Sequence, residues 1–170
     1  MLYLNIMKRI NADKYYELVM DSFPGITPTE YEDITVVTES KFKIQWFNFL
    51  HFSSYIAYAD YFNAEMLLAY MNRCRQLQRR DRSNFLDPRV CNTVVICEKV
   101  NQDVINIALT MPKFSLAVDV FPVVVDLKNG EIYYYNGPMY TRLLYNRYER
   151  NYIDYHFGRP LRTLKQKLLE

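Results

Sequence analysis

The chain has 170 residues, of which 50% are hydrophobic and 24% are charged, with a formal net charge of +2. This balance is that of an ordinary globular domain, and a chain of this length can build one core but hardly two. The 4 glycines and 7 prolines exclude collagen-like and linker-like sequences, and the 16 tyrosines and 10 phenylalanines exclude a disordered chain. None of these values identifies a function.

The first half of the chain predicts a helix, a hairpin and a second, longer helix. Apolar residues recur at roughly helical spacing over residues 4–20, which indicates the first helix. Alternating apolar and polar residues then predict a β-hairpin with arms at 34–39 and 42–46 that are joined through Ser40 and Lys41. An apolar stripe at intervals of three and four predicts an amphipathic helix over residues 58–80.

The middle of the chain predicts two strands with a helix between them. The β-branched run at 93–97 is typical of an inner strand, and residues 101–109 show a short helical pattern. A second strand is predicted over residues 116–125. Pro122 either bends this strand or places it at an edge, because proline cannot donate to the hydrogen-bond ladder.

The last part of the chain predicts a tight turn at 126–130, a returning strand at 131–135 and a helix over residues 140–157 that ends at Gly158 and Pro160. The element order is then α-β-β-α-β-α-β-β-α. Helices interleaved with strands predict an α/β or α+β fold, in which a mixed β-sheet is flanked by helices.

Residues 1–158 are expected to form this single domain, and residues 159–170 are expected to form a basic C-terminal tail. In a longer parent protein the tail could precede a membrane helix on the cytoplasmic side, and it could equally be a frayed end. Leu169 and Glu170 look like the remnant of a cloning site, which would make the chain an excised domain. The longest candidate for a membrane span, residues 44–61, contains polar residues including Asp60, so no bilayer crossing is expected.

The cysteines and histidines do not form a recognisable site. Cys74, Cys91 and Cys97 are an odd number without a CxxC pair, and no secretory leader is evident, so we expect a reducing cytoplasm and buried thiols. His51 and His156 lack the spacing of zinc ligands, and neither has a recognisable nucleophile motif beside it. No glycine spacing matches a phosphate-binding loop, so neither a metal nor a cofactor is expected.

Two sets of residues have the composition of a metal-dependent nuclease site of the restriction-endonuclease-like class. Such a site uses carboxylates to bind the cation and a lysine two positions after the second carboxylate to stabilise developing charge. The sets are Asp33, Glu39 and Lys41, and Asp119, Asp126 and Lys128, the latter assisted by Glu17 from the first helix. Asp126 and Lys128 are explained better by turn chemistry, since Asn129 and Gly130 follow them.

Arginine and tyrosine clusters are the remaining candidates for a binding surface. Five arginines lie near the end of the second predicted helix: Arg73, Arg75, Arg79, Arg80 and Arg82. They could contact nucleic-acid phosphates, but cations that complement a helix C-terminus on a solvated face are the simpler interpretation. Tyrosines recur at intervals of three and four in the last helix, and this stripe is expected to pack on the sheet rather than to meet a partner. Its members are Tyr145, Tyr148, Tyr152 and Tyr155.

The order of elements resembles the soluble N-terminal domain of some bacterial rhomboid membrane proteases. The likeness rests on the first helix, the hairpin, the arginine-ending helix, the strand-to-helix unit 93–107 and the segments 123–126 and 132–133. It implies a cytoplasmic, non-catalytic accessory domain, related in shape to the restriction-endonuclease-like fold. The protease's serine and histidine would lie in membrane helices outside this chain, so no catalytic residue is carried over.

The sequence therefore favours a non-catalytic cytoplasmic binding or regulatory domain whose partner is a protein or another domain of a parent protein. A metal-dependent nuclease or phosphodiesterase using Asp119, Asp126, Lys128 and Glu17 is the first alternative. Nucleic-acid binding through the arginines, without chemistry, is the second.

Overall fold

A computed structural model of the chain describes residues 10–43, 48–80, 89–110, 119–137 and 143–170. The fold is mixed α/β, as the sequence predicts. Its elements are α1 (Ala12–Asp21), β1 (Thr29–Tyr31), β2 (Ile34–Lys43), β3 (Asn48–Phe62), α2 (Ala64–Arg80), β4 (Arg89–Val100), α3 (Gln102–Leu109), β5 (Asp119–Asp126), β6 (Glu131–Tyr134), α4 (Leu143–Ile153), a π-helix (Asp154–Gly158) and α5 (Arg159–Leu169).

The six strands form one mixed sheet whose spatial order is the chain order, β1-β2-β3-β4-β5-β6. Strands β1, β2 and β3 are antiparallel neighbours, β3, β4 and β5 are parallel, and β6 returns antiparallel to β5. Each parallel pair needs a crossover, which α2 and α3 supply. Because both crossovers advance in the same direction and are right-handed by rule, both helices cover the same face of the sheet.

The sheet divides the hydrophobic core into two parts, one on each face, since successive strand residues point to opposite faces. Helices α2 and α3 cover one face, where Leu67, Cys74 and Val104 are buried against alternate strand residues. Helices α1, α4 and α5 and the π-helix cover the other face. Residues from these helices buried in that core include Tyr15, Val19, Tyr152, Phe157 and Leu161. The three cysteines are buried free thiols, which confirms the prediction made for them.

The predicted elements from residue 93 to 135 are confirmed where the structure describes them, and residues 116–118 of the second predicted strand lie outside the described residues. The run at 93–97 lies in β4 between two parallel neighbours, and residues 101–109 give α3. The turn at 126–130 leads into β6. Strand β6 pairs only with residues 123–126 of β5. Pro122 therefore has a paired strand on the β4 side alone, which is the edge position expected for proline.

The predicted hairpin turn at 40–41 is wrong. Strand β2 runs through these residues, with Ser40 paired to His51 and Lys41 paired to Leu50 of β3. No glycine, proline or asparagine interrupts the alternation from residue 34 to 43, so nothing in the sequence ends the strand at 40–41. Residues 44–47, which carry most of the predicted second arm, lie outside the described residues.

The starts of the first two helices also differ from the predictions. Residues 58–62 belong to β3, and α2 begins only at Ala64, because Asn63 accepts a hydrogen bond from the Met66 amide at 2.8 Å. Helix α1 begins at Ala12 for the same reason, since Asn11 accepts from the Lys14 amide at 2.9 Å. An N-cap asparagine satisfies an amide that would otherwise lack a partner at the helix start.

The helix predicted to end at Gly158 continues instead. Residues 154–158 form a π-helix, whose wider turn is closed by the Arg159 amide donating to the Asp154 carbonyl. Pro160 lies in the first turn of α5, where the lack of an N–H costs least. Residues expected to form a tail thus form α5, which packs on α1 and buries Leu161. No helix in the described part of the chain combines the length and apolarity that a membrane span requires.

Candidate functional site

The structure does not bring the nuclease-like residues together. Asp119 begins β5 and Asp126 ends it, so the two lie about 23 Å apart along one extended strand. The buried Asp126 carboxylate accepts hydrogen bonds from the Asn129 backbone N–H at 3.0 Å and from Asn129 Nδ2 at 2.7 Å. Lys128 is exposed in the same turn, and Glu17 is exposed on α1. The turn chemistry predicted for Asp126 is confirmed.

The second nuclease-like set is also dispersed. Asp33 precedes β2 and pairs with Arg73 at 2.8 Å, whereas Glu39 lies far along β2 and reaches the ring of His156. The side chain of Lys41 lies outside the described residues. In the described part of the chain, no three histidine, cysteine, aspartate or glutamate side chains are grouped as ligands for a metal ion.

The predicted arginine cluster is divided between different sides of α2. Arg73 is held by Glu32 and Asp33, which neutralise it. At 100° per residue, Arg73 and Arg75 point about 160° apart around the helix axis. Arg79 and Arg80 are exposed in the last turn, where their charge complements the helix dipole, and Arg82 lies outside the described residues. The four arginines that the structure describes therefore do not form one phosphate-binding surface.

The tyrosine stripe of the last helix packs only in part. Tyr152 is buried and stacks on Phe52 of the sheet at 4.6 Å between ring centroids. Tyr148 and Tyr155 are 39% and 45% exposed, and the side chain of Tyr145 lies outside the described residues. The pattern identified the helix correctly but not the width of its buried face.

A buried polar network around His156 joins α1, β2 and the π-helix. Nδ1 of His156 lies 2.8 Å from the Ser22 hydroxyl, and Nε2 lies 3.5 Å from the Glu39 carboxylate. The His156 ring stacks on Phe23 at 4.0 Å. Close by, the ring of Tyr152 also contacts the ring of His156. The Tyr152 hydroxyl forms a 3.0 Å hydrogen bond with the hydroxyl of Ser54.

The hydrogen bonds among the serine, histidine and glutamate of this network do not run in the direction that a catalytic triad requires. A catalytic serine donates its proton to the histidine. Here the Ser22 hydroxyl donates to the Val19 carbonyl at 2.6 Å, so its oxygen can only accept from His156. His156 therefore acts as a donor that fixes the C-terminus of α1 against the π-helix.

An open groove lies at the other end of the α1 face, beside the carboxyl ends of β3 and β4. Its volume is about 490 Å³. The residues that line it, which define the carboxyl-end groove, are Ile10, Asn11, Ala12, Asp13, Tyr58 and Glu98. Asn11 caps α1 and thereby places Asp13, in the first helical turn, at the groove.

Tyr58 is the largest exposed side chain of the carboxyl-end groove, at 50% exposure. Its hydroxyl lies 3.2 Å from Oδ1 of Asp60 and 3.5 Å from Oε1 of Glu98. Burial of the hydroxyl, the hydrogen bond to Asp60 and the charge of Glu98 raise the pKa of Tyr58 to about 12. The phenol is therefore neutral at physiological pH, and its one proton can be donated to either carboxylate but not to both at once. Nearby, Tyr61 is 42% exposed and accepts a hydrogen bond from Asn101.

Sequence analysis did not single out this groove, because its residues come from positions 10–13, 58 and 98. Only the β3–β4 register and the docking of α1 bring them together. The exposed tyrosine at the end of a strand, followed by Asp60, was the one available signal.

Comparisons with known proteins supply no relative to guide the assignment. No protein-family model matches the sequence, and neither the curated proteins nor the solved structures give a significant match.

Proposed function

We propose that this chain is a non-catalytic binding domain that docks a segment of a partner protein in the carboxyl-end groove. The observation that carries the proposal is Tyr58, a half-exposed aromatic ring that lines the groove and whose hydroxyl is within hydrogen-bond distance of Asp60. Tyrosine is enriched at protein interfaces because its ring buries a large apolar area with few rotatable bonds. A ring already fixed in place loses little further entropy on binding.

The two alternative functions have less support from the positions of their residues. The dispersion of Asp119, Asp126 and Lys128 makes the nuclease alternative the weaker one, and the division of the arginines along α2 does the same for nucleic-acid binding.

A random-peptide library displayed on phage tests the proposal. Peptides selected on the wild-type domain are expected to lose at least about tenfold in affinity for Tyr58→Ser, because a central interface tyrosine contributes more than about 1.4 kcal/mol. Tyr148→Ser is the matched control, since Tyr148 is also an exposed tyrosine but lies on α4. Failure to select any peptide, or peptides that bind Tyr58→Ser as tightly as wild type, would refute the proposal.

Two further expectations stay predictions. The first is a cytoplasmic location of the protein, with which the three buried free thiols agree. Membership of a larger rhomboid-type membrane protein would make the docked segment part of the same assembly.

A further inference from the structure

The ring of His156 is buried, and each of its two nitrogens lies close to a polar group of another element. Nδ1 lies 2.8 Å from the hydroxyl of Ser22 at the end of α1, and Nε2 lies 3.5 Å from Oε2 of Glu39 on β2. The side chain of His156 is 3% exposed, whereas that of Glu39 is 26% exposed and remains in contact with water. We call Ser22, Glu39 and His156 the His156 network.

The hydroxyl of Ser22 decides which nitrogen of His156 carries a proton. Because this hydroxyl donates to the Val19 carbonyl, its oxygen must accept from Nδ1, so Nδ1 bears a proton. A neutral histidine has only one N–H group. In the neutral ring, Nε2 would therefore present a lone pair to the Glu39 carboxylate. Only the doubly protonated ring offers an N–H group to both partners.

The end of α1 also favours a positive charge on His156. Ser22 is the C-cap residue of α1, and the C-terminus of a helix attracts a cation. The ring of Phe23 stacks on the His156 ring with an angle of 3° between the planes, and the face of an aromatic ring also attracts a cation. Burial alone disfavours the charged ring, but pairing with a carboxylate and hydrogen bonding offset this cost.

The other titratable groups around His156 do not supply a competing charge. Burial raises the pKa of Tyr152, so this phenol stays neutral, and its hydroxyl bonds to Ser54 of β3. In the π-helix itself, Asp154 pairs with Arg162 of α5. Asp21, the last residue of α1, is exposed and adds a negative charge on the same side as Ser22.

We propose that the His156 network is a pH-sensitive switch, in which doubly protonated His156 joins the end of α1 to the π-helix and β2, and loss of a proton loosens this junction. The proposal concerns the fold alone and does not depend on the carboxyl-end groove. Because the folded chain holds the proton more tightly than the unfolded chain, the stability from the network is complete below the ordinary histidine value of about 6.5. It is lost as the pH rises through the higher midpoint of the folded protein.

Histidine NMR of the isotopically labelled protein tests the proposal directly. His51 and His156 are the only histidines, so the ring signals of His156 are identified by their loss from His156→Gln. We expect His156 to titrate about one pH unit above a histidine in a short unstructured peptide. In Glu39→Gln the midpoint should fall by at least about one unit, because the opposite charge is removed. Glu17→Gln is the matched control, since Glu17 is exposed on α1 and should leave the midpoint nearly unchanged.

Amide hydrogen exchange measures the effect on the junction. One pH unit between the folded and opened midpoints corresponds to a tenfold change in the opening equilibrium. The protection factors of amides in the last turn of α1 and in the π-helix should therefore fall about tenfold as the pH rises through the midpoint. In Glu39→Gln this fall should be largely absent.

Each measurement has an outcome that would overturn the proposal. A His156 midpoint at or below that of the peptide, or one that Glu39→Gln leaves unchanged, would show that the carboxylate does not hold the proton. Nitrogen chemical shifts that place the proton of the neutral ring on Nε2 would contradict the role of Ser22. Protection factors that do not change through the midpoint would show that the proton does not hold the junction.

Discussion

Neutralising Glu98 should stabilise the unliganded domain. Glu98 of β4 lies opposite Asp60 of β3, because Ala59 pairs with Cys97 and Tyr61 pairs with Lys99. Neighbouring strands lie roughly 5 Å apart, and two like charges at that distance repel by about 0.8 kcal/mol in surroundings as polar as water. Asp60 remains available to accept the hydrogen bond from Tyr58, so Glu98→Gln removes repulsion without stranding the hydroxyl. We expect the free energy of unfolding to rise by about 0.2–1 kcal/mol.

Urea denaturation of a double-mutant cycle with Asp60→Asn measures this repulsion. Either single substitution relieves it, so the double variant should gain less than the sum of the two. The gain should also shrink at high salt, since the Debye length falls from about 30 Å at 0.01 M to about 3 Å at 1 M. A loss of stability in Glu98→Gln, or strictly additive effects, would refute the reasoning.

Three further predictions concern the scaffold. Tyr152→Phe removes a buried hydrogen bond to Ser54 of the sheet and should lower the free energy of unfolding by about 1–2 kcal/mol. An unchanged midpoint of urea denaturation would contradict this prediction. Gly130→Ala should cost more than Gly25→Ala, because both residues have positive φ but only at Gly130 would the added Cβ lie 3.1 Å from a lysine side chain; equal losses would argue against this contact. Two hydrogen bonds from Arg162 lower the pKa of Asp154, so the stability from this pair is present at neutral pH and is lost as pH falls through that lowered pKa. Arg162→Gln should therefore lose less stability between neutral and acid pH than wild type, by a small amount because both side chains are exposed, and identical acid losses would count against the pairing.

The fold class could be predicted from local patterns, because helices and strands each repeat their buried apolar residues at a characteristic spacing. The β-branched run at 93–97 and the turn at 126–130 were predicted correctly, since strand burial and turn chemistry depend on adjacent residues. The ends of elements were less predictable. Asn63 decides where α2 begins, but the apolar stripe extends back into β3 and hides the boundary.

The candidate site could not be predicted because it is built from distant segments. The Tyr58 hydroxyl meets Glu98 forty residues along the chain, and Ser22 meets His156 across 134 residues. Such contacts depend on strand register and helix docking, which no local pattern specifies. The π-helix that contains His156 was missed for a related reason, since Gly158 and Pro160 are typical of a helix end and only tertiary packing of Leu161 continues the helix.

The most direct test of the carboxyl-end groove is an amide chemical-shift titration of the isotopically labelled domain with a peptide selected through Tyr58. The account predicts that the perturbed amides cluster at residues 10–13, 58–61 and 98–101, and that the same peptide perturbs the Tyr58→Ser domain far less at the same concentration. Perturbations centred on the last turn of α2, or spread without a focus over both faces of the sheet, would contradict it.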